Sequence, residues 1–147
     1  MTDAIPAELV AAYSATLYEV LGDLSAVISI TDTAGAHDPW LTQNNSQTAV
    51  VITAWNPFSE QMAPAINAAA NIRLQMSIET RKLHSAPAQG RHPLGEWSEE
   101  SVCVFDVSDE LLDSWLIDYR QNAAIRVRLG EQPQLVWHRS LSRRSPM

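Results

Sequence analysis

Two short stretches carry the side chains best suited to chemistry. In the first, Trp55-Asn56-Pro57 is followed by Ser59 and then by Asn67 and Asn71. A carboxamide offers donor and acceptor atoms together, so three of them beside an indole and a hydroxyl suit a ligand that presents both, such as a base, an amide or a sugar. The same residues also admit a purely structural role. Asn56 can close a turn while Asn67 and Asn71 satisfy backbone groups of the loop before their helix, which cannot be buried unpaired. In the second stretch, Trp97 precedes Glu99, Glu100 and Ser101. A carboxyl group beside an aromatic surface can serve as general acid or base, and either glutamate is a candidate; the competing reading is a solvated carboxylate on an edge strand.

The elements that must position these groups follow from apolar spacing. Val50, Val51, Ile52 and Thr53 form an unbroken β-branched run, which predicts a strand over 49–55 buried on both faces. Asn56-Pro57 ends it, because proline lacks the N–H a central ladder needs. Ligands in open α/β sheets sit at such carboxyl ends. Pro64 suits a first helical position, and a helix is expected from there to about Leu83. Its Ile66, Ala70, Leu74 and Ile78 make one apolar stripe, and Ala65, Ala69, Ile72, Met76 and Leu83 a broader second flank, so the helix should be largely covered. Asn67 and Asn71, four residues apart, share a face that looks back toward the helix N-terminus and should reach the 55–63 segment.

Around this centre, 6–12 predicts a short helix with Asp3 as a cap, and Tyr13 to Thr31 a hairpin turning at Leu21-Gly-Asp-Leu24. Ala34 to Pro39 is expected as loop, and Trp40 to Gln47 as a short surface helix or further loop. His84 to Gly95, with Pro87, Gly90, Pro93 and Gly95, reads as a long irregular loop. The chain re-enters the sheet from Trp97 through Val107, Ser108 caps a helix ending near Arg120, and strands 123–129 and 134–138 close a final hairpin. The order β-β-β-α-β-α-β-β predicts an α/β (α+β) fold: a single mixed sheet of about five to six strands with two main helices packed on it. In such a sheet, a Trp97 strand parallel to 49–55 would start at the end away from Asn56. The two motifs meet only if that strand runs antiparallel or if the 84–96 loop returns over the carboxyl end, and the loop return is the expectation.

Composition narrows the function. The chain has 147 residues, 46% hydrophobic and 18% charged, with a net charge of −7. That is the size of one domain, expected over 1–138, with 139–147 as a flexible basic tail. An acidic balance opposes nucleic acid and anionic lipid, and no apolar run is long enough for a membrane span. The lone Cys103 excludes an internal disulfide and, with no secretory signal, favours the cytoplasm. His37, His84, His92 and His138 lack metal-ligand spacing, and Gly-x-Ser-x-Gly and phosphate-binding glycine loops are missing, so no metal and no cofactor is expected.

The residues Ile52-Thr-Ala-Trp-Asn-Pro-Phe-Ser59, Asn67-x3-Asn71-x2-Leu74, Trp97-x-Glu99-x-Ser101 and Gln121-Asn-Ala123 together resemble the bacterial family described as domain of unknown function 3293. The resemblance spans Tyr13 to Trp137 and implies a small single-domain architecture with these motifs in place; it implies no mechanism. The expected function is a non-catalytic cytoplasmic module binding a small molecule or a protein partner at a polar crevice formed by Trp55, Asn56, Ser59, Asn67, Asn71, Trp97 and Ser101. The rival is a small enzyme with Glu99 or Glu100 as acid–base group and Asn56, Asn67 and Asn71 orienting substrate. Nothing in the residues sets an oligomeric state.

Overall fold

The computed structural model describes residues 5–142; the expected Asp3 cap and most of the basic tail lie outside them. Seven strands form one sheet: β1 Leu17–Val20, β2 Ala26–Ile28, β3 Thr48–Ile52, β4 Ser85–Arg91, β5 Ser98–Phe105, β6 Ala123–Arg128 and β7 Gln134–Trp137. Their spatial order is β2-β1-β4-β5-β3-β6-β7, and every adjacent pair is antiparallel. The sheet curls into a half-barrel. Five helices accompany it: α1 Ala7–Ala15, α2 Asp38–Gln43, α3 Pro64–Thr80, α4 Asp109–Asp118 and the short α5 Arg139–Ser142. The fold is therefore α+β, but the sheet has seven strands rather than five to six and is antiparallel rather than mixed.

The additional strand is β4, in the stretch expected as loop. Proline and glycine argue against a central strand, yet the geometry tolerates both. The Pro87 carbonyl accepts from the Leu21 N–H at 2.8 Å, so the proline's missing N–H lies on that same edge, just past the last β1–β4 pair, Val20 with Ala88. No bond to β5 is lost. With β4 in place, β4 and β5 form a hairpin through the turn at 92–97, and β5 runs antiparallel to β3.

Two apolar clusters use the alternate residues of the strands. On one face, Val50, Ile52, Val102, Val104 and Ala124 pack under Ala70, Leu74 and Ile78 of α3 and Leu112, Trp115 and Leu116 of α4. On the other, Ala49, Val51, Cys103, Phe105, Ile125 and Val127 pack against Tyr18, Val20, Ile28 and the α2 residues Trp40 and Leu41. The expectation that β3 is buried on both faces holds. That of a surface helix near Trp40 does not, because the ring and Leu41 fill the second face. Each large side chain so buried stabilises the fold by roughly 1.5–3 kcal/mol. Helix α3 is covered on one side alone: Ile66, Ile72 and Met76 are more than half exposed.

Local signals set the helix ends. Pro64 stands at the start of α3, where its missing N–H would have had no helical partner. Ser108 caps α4, its Oγ accepting from the Leu111 N–H at 3.1 Å.

Candidate functional site

Beyond Ile52 the chain leaves the sheet through a loop that is unusually constrained. Asn56, Phe58 and Ser59 all have left-handed φ, at 48°, 50° and 64°. Asparagine tolerates this region, whereas for Phe58 it costs on the order of 1–2 kcal/mol. The loop holds because it is tied on two sides. Toward α4 and β6, the Phe58 N–H donates to the Arg120 carbonyl, Gln121 Nε2 donates to the Trp55 carbonyl at 3.3 Å, and Asn122 Nδ2 donates to Ser59 Oγ at 3.0 Å.

Toward α3, the two helical asparagines do the work. Asn67 is 1% exposed; its Oδ1 accepts from the Asn56 N–H at 2.9 Å, and its Nδ2 donates to Asn56 Oδ1 at 2.7 Å and to the Met62 carbonyl at 3.3 Å. Asn71 Oδ1 accepts from the Ala54 N–H at 2.8 Å, and its Nδ2 donates to the Glu100 carbonyl at 3.1 Å. Asn67 thus reaches the 55–63 segment as expected. Asn71 reaches one residue short of it and joins the end of β3 to the start of β5. Both carry out the structural role, and neither lines the cavity described next.

That cavity, of about 390 Å³, lies where β3 ends and β1, β5 and β6 begin, on the Trp40 face of the sheet. Trp55, Asn56 and Ser59 line it from the loop, Trp97, Glu99 and Ser101 from β5 and the turn before it, Gly90 from β4, and Tyr13, Thr16 and Tyr18 from α1 and β1. The two motifs therefore share one cavity. The expected loop return is not the reason; antiparallel pairing of β5 with β3 brings Trp97 to the end of the sheet where Asn56 sits.

Period-two alternation separates the two glutamates. Glu99 falls on the face of Ser101, Cys103 and Phe105, in the cavity, whereas Glu100 falls on the opposite face and is exposed. Burial raises the Glu99 carboxyl above its ordinary range, and a hydrogen bond from Asn56 offsets part of the rise. That bond, from Asn56 Nδ2 to Glu99 Oε2, is 3.5 Å long, at the outer limit of the interaction, so the offset is small. The orientation of Asn56 is settled by its other end. Oδ1 accepts from Asn67 Nδ2 and from the Met62 N–H at 3.0 Å, which leaves the NH₂ group to face the cavity.

Tyr13 and Tyr18 complete the wall opposite. Burial pushes both hydroxyls up, and the nearby Glu99 charge adds to the effect; Asn122 and Ser59 interact with the Tyr13 hydroxyl and oppose it. The Tyr18 hydroxyl donates to the Tyr13 carbonyl at 3.2 Å. Among the described residues no lysine, arginine or histidine lines the cavity, and no group of three or more metal-ligating side chains gathers anywhere.

Tyr13, Thr16, Tyr18, Gly90 and Gln121 were not anticipated as site residues. The alternation of Thr16, Tyr18 and Val20 already places the first strand's polar and aromatic groups on one face, and an isolated glycine in a strand marks a place where another group comes close to the backbone, here the Thr16 methyl, 3.6 Å from where a Cβ would stand. Nothing local signals Tyr13, which depends on α1 lying over the end of the sheet.

The family model described as Protein of unknown function (DUF3293) matches residues 52–124. The match runs from the last residue of β3 to the second of β6. It contains both motifs and both helical asparagines, while the Tyr13 and Tyr18 wall lies outside it. No curated protein and no solved structure matches the chain.

Proposed function

We propose that this is a bacterial, cytoplasmic small-molecule binding module whose ligand occupies the cavity between Trp55 and Trp97. The observation that carries the reading is the convergence of motifs about 40 residues apart in the sequence on one cavity. There, the Asn56 NH₂ group and the Glu99 carboxyl face open space with one long bond between them. A half-open cavity of this size, in which hydroxyl, carboxamide and carboxyl groups alternate with aromatic rings, suits a small molecule better than a protein surface. Asn67 and Asn71 act behind the site, as supports for the loop. The buried, unpaired Cys103 supports a reducing compartment, and among the described residues no helix is long and apolar enough to cross a membrane. The domain reaches residue 138, followed by a basic segment.

Untargeted metabolite capture tests the proposal. Purified protein should enrich a small molecule that Gly90→Leu, which places a side chain in the cavity, does not retain. Equal capture by both proteins would refute it.

A second reading rests on Glu99. A carboxyl raised by burial stays protonated nearer neutral pH and can donate a proton to a substrate held by Asn56. Turnover of the captured molecule that is abolished in Glu99→Gln while capture persists would establish this reading.

A further inference from the structure

We propose that the ligand of this cavity is an organic cation, an alkyl- or arylammonium ion seated between the Glu99 carboxylate and the aromatic walls. This rests on the cavity being the binding site and goes on to name what it accepts. Glu99 is the cavity's only acidic side chain, and no basic side chain lines it among the described residues. Its one side-chain partner is the Asn56 NH₂ at 3.5 Å. A half-buried carboxylate without a counter-charge is an incomplete arrangement, and a bound cation completes it.

The aromatic part of the wall has the same preference. Tyr13, Tyr18, Trp55 and Trp97 all line the cavity, and the faces of aromatic rings attract ammonium groups through their quadrupoles. An anion would meet Glu99 with like charge and find no cation to offset it. A divalent metal ion is poorly served too, because Glu99 is the one carboxylate in the lining and, among the described residues, no group of three or more metal-ligating side chains gathers to hold such an ion. The net charge of −7 draws cations toward the protein at longer range.

Benzylammonium and its neutral isostere benzyl alcohol make the test, each titrated into wild type, Glu99→Gln and Gly90→Leu while the Trp55 and Trp97 indole N–H signals are followed by NMR. Wild type should bind benzylammonium about tenfold or more tightly than benzyl alcohol. Glu99→Gln should remove that advantage, so that the two probes bind it about alike, and Gly90→Leu should weaken both. A melting curve of Glu99→Gln at or above that of wild type confirms that the variant is folded. If both probes bind wild type equally and Gly90→Leu weakens both, the cavity stands and the cation inference is overturned. A benzylammonium preference that survives Glu99→Gln overturns it as well. If neither probe moves either indole signal, the inference falls together with the cavity reading.

Discussion

Asn56 and Asn67 hold each other by two reciprocal hydrogen bonds, backbone N–H to Oδ1 at 2.9 Å and Nδ2 to Oδ1 at 2.7 Å. The consequence reaches the cavity: with its Oδ1 bound by Asn67 and Met62, Asn56 has its amide orientation set, and the NH₂ group is turned to Glu99. A buried residue on α3 thereby orients a group in a site it does not touch.

Asn67→Ala should destabilise the protein by about 2–4 kcal/mol in urea unfolding, because the Asn56 N–H and the Met62 carbonyl both lose their partner. Asn67→Asp should not rescue it, since a second oxygen would face Asn56 Oδ1. A variant with Asn67→Ala that unfolds at the wild-type urea midpoint would show that the loop does not depend on this contact.

Asn71→Ala should cost less, about 1–2 kcal/mol. The Ala54 N–H is left unpaired, whereas the Glu100 carbonyl still accepts from the Thr53 hydroxyl at 2.6 Å. Amide exchange at Ala54 should accelerate while exchange in the middle of β3 stays slow. Unchanged exchange at Ala54 would contradict the bridge from β3 to β5.

How much of this was legible depends on whether each signal is local. The double-faced run of β3, Pro64 at the start of α3, and the Ser108 cap are all written within a few residues, and the structure agrees with each. Strand β4 was not legible, because Pro87 is tolerated only by virtue of where β1 ends, which is a tertiary fact. The choice between Glu99 and Glu100 was hidden for a related reason. Val102 to Phe105 are buried on both faces, so no alternation of polarity marks which parity faces the cavity. The apolar flank at Ile72 and Met76 misled in the other direction, since apolar residues on a helix need not be covered.

Glu99 gives the stability a pH slope of known sign. Its carboxyl is raised in the folded state, chiefly by burial, so the folded protein binds the proton more tightly than the unfolded chain. The favourable contribution is full below the ordinary value of 4.5 and is lost as pH rises through the higher folded value. Glu99→Gln should flatten this part of the profile and melt at or above wild type at pH 7. A variant whose stability still falls over that window with the wild-type slope would assign the effect to another group.

The claim on which the rest depends is that the Trp55 and Trp97 motifs form one binding cavity, and a fragment screen read on the five indole N–H signals of the protein tests it most directly. Bound fragments should shift Trp55 and Trp97 together, leave the core residues Trp40 and Trp115 in place, and lose affinity about tenfold or more in Gly90→Leu. Fragments that shift Trp55 without Trp97, or that bind Gly90→Leu as tightly as wild type, would contradict a single site.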